Sequence, residues 1–255
     1  MNPSNLLEHV IAPAPRYILR LSLLEGIFAK HVPKNDYSLI EFGPGLGDIS
    51  HYLAQDPSCR ELTLVDFSQT TLNMLRERFR DSKITRFSSD DISEVPSGKT
   101  FDLVLAFEVL EHIDDDIGSL HRIFDLTAAG GQFIMSVPAY QKKWQKIDAY
   151  SGHFRRYERA ELNQKLKDSG FSSIEIVDYG FPLTALMYPF RQAFYRPNTS
   201  SSLKERSKKS GITRPFFASI PLWLLRPVYA PFIFLQRMFI NRDLGDGFIA
   251  IAKKP

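Results

Sequence analysis

The chain has 255 residues, 44% hydrophobic and 24% charged, which suits a globular protein with a sizeable core and excludes a disordered or fibrous one. Its single cysteine, Cys59, excludes an internal disulfide and any multi-cysteine metal cluster, and fits a reducing cytoplasm. The formal net charge of +3 hides an asymmetry: between Phe181 and Gly245 ten Lys/Arg face two Asp/Glu, so that segment carries +8 and the remainder −5.

The N-terminal MNPSNLLEHV lacks the basic start and apolar run of a secretory signal. No run of 18 uncharged apolar residues occurs, so no spanning helix is expected. Residues 4–31 read as helical, broken at Ala12-Pro13-Ala14-Pro15, with Ile18, Leu21, Leu24 and Ile27 on one face of the second piece. Apolar runs then follow at Ser38–Phe42, Glu61–Asp66, Ile84–Ser88, Phe101–Phe107 and Gln132–Val137. Helical stretches near 47–56, 69–81, 116–127 and 158–169 alternate with them. That alternation predicts an α/β fold, a parallel sheet with helices on both faces. Ser173–Asp178 and Phe248–Lys253 read as two more strands, separated by about 65 residues rich in aromatics, proline and arginine, too long for a turn. The organisation is therefore a 1–34 helical cap, an α/β domain over 35–180 and 246–255, and a helical insertion at 181–245.

Four stations along this frame carry chemistry. SLIEFGPGLGDIS, Ser38 to Ser50, is a buried strand ending at Glu41-Phe42 and a loop with Gly43, Gly45 and Gly47 that opens a helix. Glycines there let a ligand approach the backbone, and the helix N-terminus favours an anionic group. Asp66 closes the second strand, 23 residues after Gly43, where a carboxylate can take both hydroxyls of a ribose. SSDDIS, Ser88 to Ser93, offers Asp91 to an adenine amine with Ile92 beside it, or Asp90 if the strand stops a residue earlier. FDLVLAFEVLEHIDDD ends the fourth strand at Phe107-Glu108 and turns through Glu111 and His112. A nicotinamide fingerprint is disfavoured because Asp48 stands where its last glycine belongs, and no Gly-Lys-Ser/Thr marks a P-loop.

E-x-G-x-G-x-G, a strand-end Asp, D-D-I and FDLVLAFEVLEHI, in that order, make the chain resemble class I S-adenosylmethionine-dependent methyltransferases, most closely the ubiquinone/menaquinone-type small-molecule enzymes. The resemblance covers about 35–180 plus the last strand. It implies a Rossmann-like seven-stranded sheet of order 3-2-1-4-5-7-6 with strand seven antiparallel, and S-adenosyl-L-methionine as cofactor. It further implies that Glu41, Gly43 and Gly45 hold the methionine end, Asp66 the ribose with Phe67 by the adenine, Asp91 and Ile92 the adenine, and Phe107 and Glu108 the sulfonium region.

The acceptor side is read from residues around that frame. SVPAYQKKWQKIDAYSGHFRRYERAEL, Ser136 to Leu162, leaves strand five with Trp144, Asp148, His153, Arg155, Arg156 and Tyr157, a set suited to acceptor binding. Its D-x3-G-H-F-R-R-Y resembles a segment of family members acting on lipid, polyketide or sugar-linked acceptors. In the alternative reading, Arg155 or Arg156 pairs with Asp148 or Glu158 merely to order the loop. Tyr17 joins the acceptor group, and Tyr17 and Phe107 can face the cofactor cation. His112 and His153 are the candidate bases for a hydroxyl acceptor, and no metal is expected.

The insertion joins basic residues (Lys204, Arg206, Lys208, Lys209) to PFFASIPLWLLRPVYAPFIFLQRMFI, Pro215 to Ile240, where Arg226 and Arg237 interrupt the run and Pro221, Pro227 and Pro231 are expected to break a long spanning helix. A lid, alone or touching a membrane surface, follows from that composition. The reading is thus a cytoplasmic methyltransferase, peripheral at the inner face of a membrane if the insertion touches lipid, acting by in-line displacement on a hydrophobic or lipid-linked small molecule. No N/D-P-P-Y/F segment follows strand four, so no nucleic-acid partner is expected. The alternative is an inactive cofactor-binding or membrane-associated accessory protein.

Overall fold

The computed structural model describes residues 6–10, 14–89, 92, 94–95, 98–194 and 222–255. Seven strands form one sheet: β1 (Tyr37–Phe42), β2 (Cys59–Val65), β3 (Thr85–Ser88), β4 (Phe101–Phe107), β5 (Thr127–Pro138), β6 (Ser172–Tyr179) and β7 (Gly247–Lys253). Their order is β3-β2-β1-β4-β5-β7-β6, and β7 runs antiparallel to both β5 and β6. The order is the one the resemblance implies. The described helices are α1 (Pro15–His31), α2 (Asp48–Leu53), α3 (Gln69–Arg78), α4 (Asp116–Leu126), α5 (Lys146–Ser151), α6 (Arg159–Asp168), α7 (Leu183–Phe194) and α8 (Leu222–Gln236). A 3-10 turn at Leu6–His9 precedes them.

Strand pleating divides the core in two. Along β1, Tyr37 and Leu39 face one side and Ile40 and Phe42 the other, all buried, as a central parallel strand covered on both faces requires. The first core takes Leu62, Leu64, Leu103, Leu105, Ile249 and Ile251 and is sealed by Leu21, Leu24 and Phe28 of α1, with Leu53 of α2 and Leu72 of α3. The second takes Val104, Phe133, Met135, Phe248 and Ala250, sealed by Leu120 and Ile123 of α4 and Leu162 and Leu166 of α6.

The helix N-termini show why they start where they do. Ser68 caps α3 by accepting from Thr71 N–H, and Asp115 caps α4 by accepting from Gly118 N–H. Gln145 and Asp148 form a reciprocal capping box on α5, a short helix in a stretch without helical periodicity in its sequence.

Pro227 and Pro231 both lie inside one helix, α8, which at 15 residues falls short of a spanning helix. They are four residues apart and exposed, so the ladder bonds they forfeit open toward solvent. The inner stripe of α8 holds Leu225, Tyr229 and Ile233 against the first core, and buried Gln236 fastens its end. Gln236 donates to Leu19 O (2.9 Å) and Ser22 Oγ (2.8 Å) of α1 and accepts from Gly180 N–H (3.2 Å). No helix among the described residues is long and apolar enough to cross a membrane. Pro221 and the basic residues Lys204, Arg206, Lys208 and Lys209 lie outside the described residues.

Candidate functional site

The site begins at the C-terminal ends of the central strands, where a parallel sheet leaves a crevice. After β1 the chain needs left-handed backbone at Gly43 (φ 60°), Gly45 (φ 55°) and Gly47 (φ 74°) to reach α2. A Cβ at Gly43 would stand 2.7 Å from Val109 Cγ2, so the loop and the segment after β4 lie too close for any side chain. The loop, α1 and the 138–156 segment enclose a cavity of about 350 Å³, within the range of small-molecule sites.

Its walls are charged. Glu41 is 2% exposed, accepts from Ser50 Oγ, and burial raises its carboxyl to about 7 against the opposing pull of Ser50 and Arg20. Asp48, first residue of α2, pairs with Arg78 (2.7 Å) and accepts from Tyr17 Oη (3.0 Å). Tyr17 is thereby turned into the wall from α1, with the Arg20 guanidinium 5.1 Å from its ring centroid. Glu108 takes a positive φ of 57° and is gripped by Arg16, Arg20 (3.3 Å), Ser136 Oγ (2.9 Å) and Tyr179 Oη (3.0 Å). Burial opposes its charge, but the two guanidiniums outweigh burial and hold its carboxyl well below the usual range. Arg16 also reaches Asp246 (3.1 Å), so α1 is fastened across the cavity to both β4 and β7.

The far end is built by the turn after β4 and the loop after α5. Phe154 N–H donates to Glu111 O (2.8 Å), drawing His153 against His112 with ring centroids 4.7 Å apart at 84°. Glu111 is fully buried, and no other described residue donates to its carboxylate. Burial and the Glu108 charge push its carboxyl up. Burial and the neighbouring His153 lower His112 to about 4.

The cavity thus gathers Tyr17, Glu41, Gly43, Gly45, Phe107, Glu108, His112, Asp148, His153 and Arg156 from the sequence-predicted set. Arg156 is a wall residue whose guanidinium is already committed, to Asp148 (3.0 Å), Asp246 (2.9 Å) and Ala139 O (3.1 Å). The loop-ordering alternative describes it better than acceptor binding. Three acceptor expectations need correction. Tyr157 is fully buried in the second core and donates to Asp116 Oδ2 (2.8 Å). Arg155 pairs with Asp116 (2.9 Å) and Asp114 outside the cavity. Trp144 is half-buried and is not among the cavity-lining residues.

Asp66 and Phe67 stand at the end of β2, beyond the enclosed part. Asp66 accepts from Ser68 N–H (2.8 Å), and burial raises its carboxyl to about 6; Phe67 is 52% exposed. Ile92 is buried in the second core, while Asp91 and its alternative Asp90 lie outside the described residues. Sequence reasoning missed Arg16, Arg20, Asp246 and Glu111 as site residues. Two arginines one turn apart on an apolar helix were the signal for the first pair. Asp246 offered none, since only the fold returns it to the cavity.

A family profile described as a methyltransferase domain matches residues 6–176, about two thirds of the chain. A curated relative, malonyl-[acyl-carrier protein] O-methyltransferase 1 of Ilyobacter polytropus, is 24% identical over 106 residues, which cover 42% of this chain and 40% of that protein. The N-methyltransferase NodS of Bradyrhizobium japonicum WM9, solved with S-adenosyl-L-homocysteine, superposes with a TM-score of 0.56 at 14% identity, covering 99% of this chain and 100% of its own. The [4+2]-cyclase SpnF superposes with a TM-score of 0.60 at 16% identity, covering 92% of this chain and 82% of its own, so likeness of fold by itself does not fix the reaction.

Proposed function

This chain belongs to the methyltransferase domain family, and we propose that it uses S-adenosylmethionine to methylate a small molecule with a polar reacting end and a greasy or lipid-linked remainder. The observation that carries the donor half is the cavity that opens beside the glycine loop, lined by Glu41, Gly43, Pro44 and Gly45. Glu41 and the strand-end Asp66 flank it with carboxylates suited to an amino group and a ribose. When bound, S-adenosylmethionine supplies an electrophilic methyl group and leaves as S-adenosylhomocysteine. Glu41, Gly43, Gly45 and Asp66 would hold it, with Phe107 beside it, and Asp91 and Ile92 toward the adenine.

This chain's own contribution is alignment and exclusion of water. The Arg16 links to Glu108 and Asp246 close α1 over the cavity, and oriented reactants recover up to about 7–11 kcal/mol of a barrier. The far wall of Glu111, His112 and His153 is polar, which suits the reacting end of an acceptor. His153 or His112 would take a proton from an acceptor hydroxyl.

The greasy remainder is argued from α8. Leu224, Val228, Pro231 and Leu235 form a second stripe on its outer side, with Leu224 48% and Val228 56% exposed. Phe234 and Met238 beside it are 68% and 64% exposed. A helix apolar on both sides is normally covered, and the surplus of ten basic over two acidic residues in 181–245 favours an anionic lipid surface as the cover.

Calorimetric titration with S-adenosylhomocysteine tests the donor half. Binding by the wild type, weakened about tenfold or more in Asp66→Ala by loss of charged hydrogen bonds, is expected. No binding by the folded wild type would refute it. Sedimentation with anionic and neutral vesicles tests the surface: anionic vesicles should retain the protein and Phe234→Asp/Met238→Asp should release it, whereas equal recovery of both proteins would refute it.

A further inference from the structure

We propose that Glu111, His112 and His153 form a binding site for a divalent transition-metal ion in the far wall of the cavity. One ligand atom from each lies within 4.8 Å of the other two, and all three residues line the cavity. Metal–ligand bonds of about 2.0–2.2 Å bring such atoms roughly 3–3.6 Å apart, so binding requires the three side chains to draw closer. The carboxylate is the independent pointer to a ligand. Glu111 is fully buried, lines the cavity and receives no donor from any other described residue. A fully buried carboxyl group whose oxygens meet no other residue's donor is rare in folded proteins.

Each imidazole is held from behind. His153 Nδ1 lies 3.0 Å from Asp148 Oδ1, so Nδ1 donates to the carboxylate and Nε2 presents its lone pair. This carboxylate–histidine pairing is the outer shell that metal-ligating histidines use. Asp148 is itself anchored by Arg156 (3.0 Å) and by Gln145 N–H (2.7 Å). The His112 ring is hydrogen-bonded to the Gly152 backbone, which fixes it in the same manner. Two backbone clamps, Phe154 N–H to Glu111 O and His153 N–H to Asp148 O (3.0 Å), hold the ligand segments together.

Two imidazoles and one carboxylate select a borderline metal such as zinc, iron(II) or cobalt(II) over magnesium or calcium, which prefer all-oxygen shells. Three protein ligands on one side leave positions open toward the cavity. A hydroxyl or carboxylate oxygen of the acceptor would occupy one of them, a use that rests on the methyl-transfer reading although the metal binding does not.

Tag-free, full-length protein, cleared of metal by chelator dialysis, is titrated with cobalt(II) chloride and followed by its visible d–d bands. One equivalent should bind, zinc chloride should displace it, and Glu111→Gln and His153→Asn should each weaken it by about tenfold or more. Should Glu111→Gln fail to fold, His153→Asn carries the comparison, with circular dichroism as the folding check. Calorimetry with S-adenosylhomocysteine on the same preparation separates the two readings. S-adenosylhomocysteine binding without cobalt uptake, or cobalt uptake unchanged in both variants, overturns the metal site alone. Cobalt uptake lost in the variants supports the site even where S-adenosylhomocysteine binding fails.

Discussion

Arg156 joins three parts of the site: Ala139 at the exit of β5, Asp148 in α5 and Asp246 at the entry to β7. Replacing it with methionine keeps much of the volume and removes the charge from a side chain only 2% exposed. Two buried carboxylates then lose a partner, a change that costs about 3–5 kcal/mol where the stranded charge has no other. Here each keeps one, His153 for Asp148 (3.0 Å) and Arg16 for Asp246 (3.1 Å), so the lower end applies, about 3 kcal/mol. In a chain of this length that lowers the melting temperature by about 6–12 °C. Urea unfolding followed by circular dichroism measures the loss, and a double variant, Arg156→Met with Asp246→Asn, tests its cause. Removing the second charge should recover about 1 kcal/mol or more, because part of the penalty is the orphaned carboxylate rather than lost packing. A loss below about 1 kcal/mol, or a double variant that falls by the simple sum, would refute the network argument.

Three further outcomes can be measured. Burial raises Glu41 to about 7, above its unfolded value, so the folded state gives up stability as pH rises from about 4.5 through 7. Glu41→Gln should therefore match wild type at pH 5 and exceed it by up to about 3 kcal/mol at pH 8 in thermal unfolding, and a deficit at both would contradict the desolvation argument. Gly43→Ala should cost about 2 kcal/mol from its φ of 60° and the contact with Val109 Cγ2, with Val109→Ala returning roughly half; no recovery in the double variant would mean the strain is purely backbone. Gln236→Leu strands the Gly180 N–H and removes a donor from Leu19 O and Ser22 Oγ, and should cost about 1–3 kcal/mol, with amide exchange accelerating across 222–236; unchanged exchange there would show that α8 is held by its apolar stripe alone.

The stations at Glu41 and Phe107 were legible because β1 and β4 are buried on both faces, which leaves mostly apolar runs with a visible end, and Asp66 because β2 closes on the apolar Leu64-Val65. The glycines were legible for a related reason, since left-handed backbone at a strand end leaves little choice of residue. Residue type alone misled at Tyr157, whose hydroxyl marks it as a site group until Asp116, 41 positions earlier, is seen to satisfy it in the core. The two histidines were legible as candidate bases, but not their grouping with Glu111: they are separated by β5 and α5, and contacts made only in the fold, such as the Phe154–Glu111 backbone bond, bring them together. In α8 the prolines are tolerated because both rings sit on the open side of the helix, where a missing ladder bond is answered by solvent.

The placement of β7 between β5 and β6 bears on how the protein comes into being. The strand that pairs with both neighbours is the last of the seven to be synthesised, and until it arrives β6 has no partner in the sheet. A nascent chain must therefore hold two unfinished sheet edges, at β5 and β6, while the whole 181–245 insertion is translated. Lengthening that insertion adds little to the closure penalty, which grows only with the logarithm of length, but it prolongs the exposure. The length and composition of 181–245 therefore bear on how long those edges wait, as well as on the finished site.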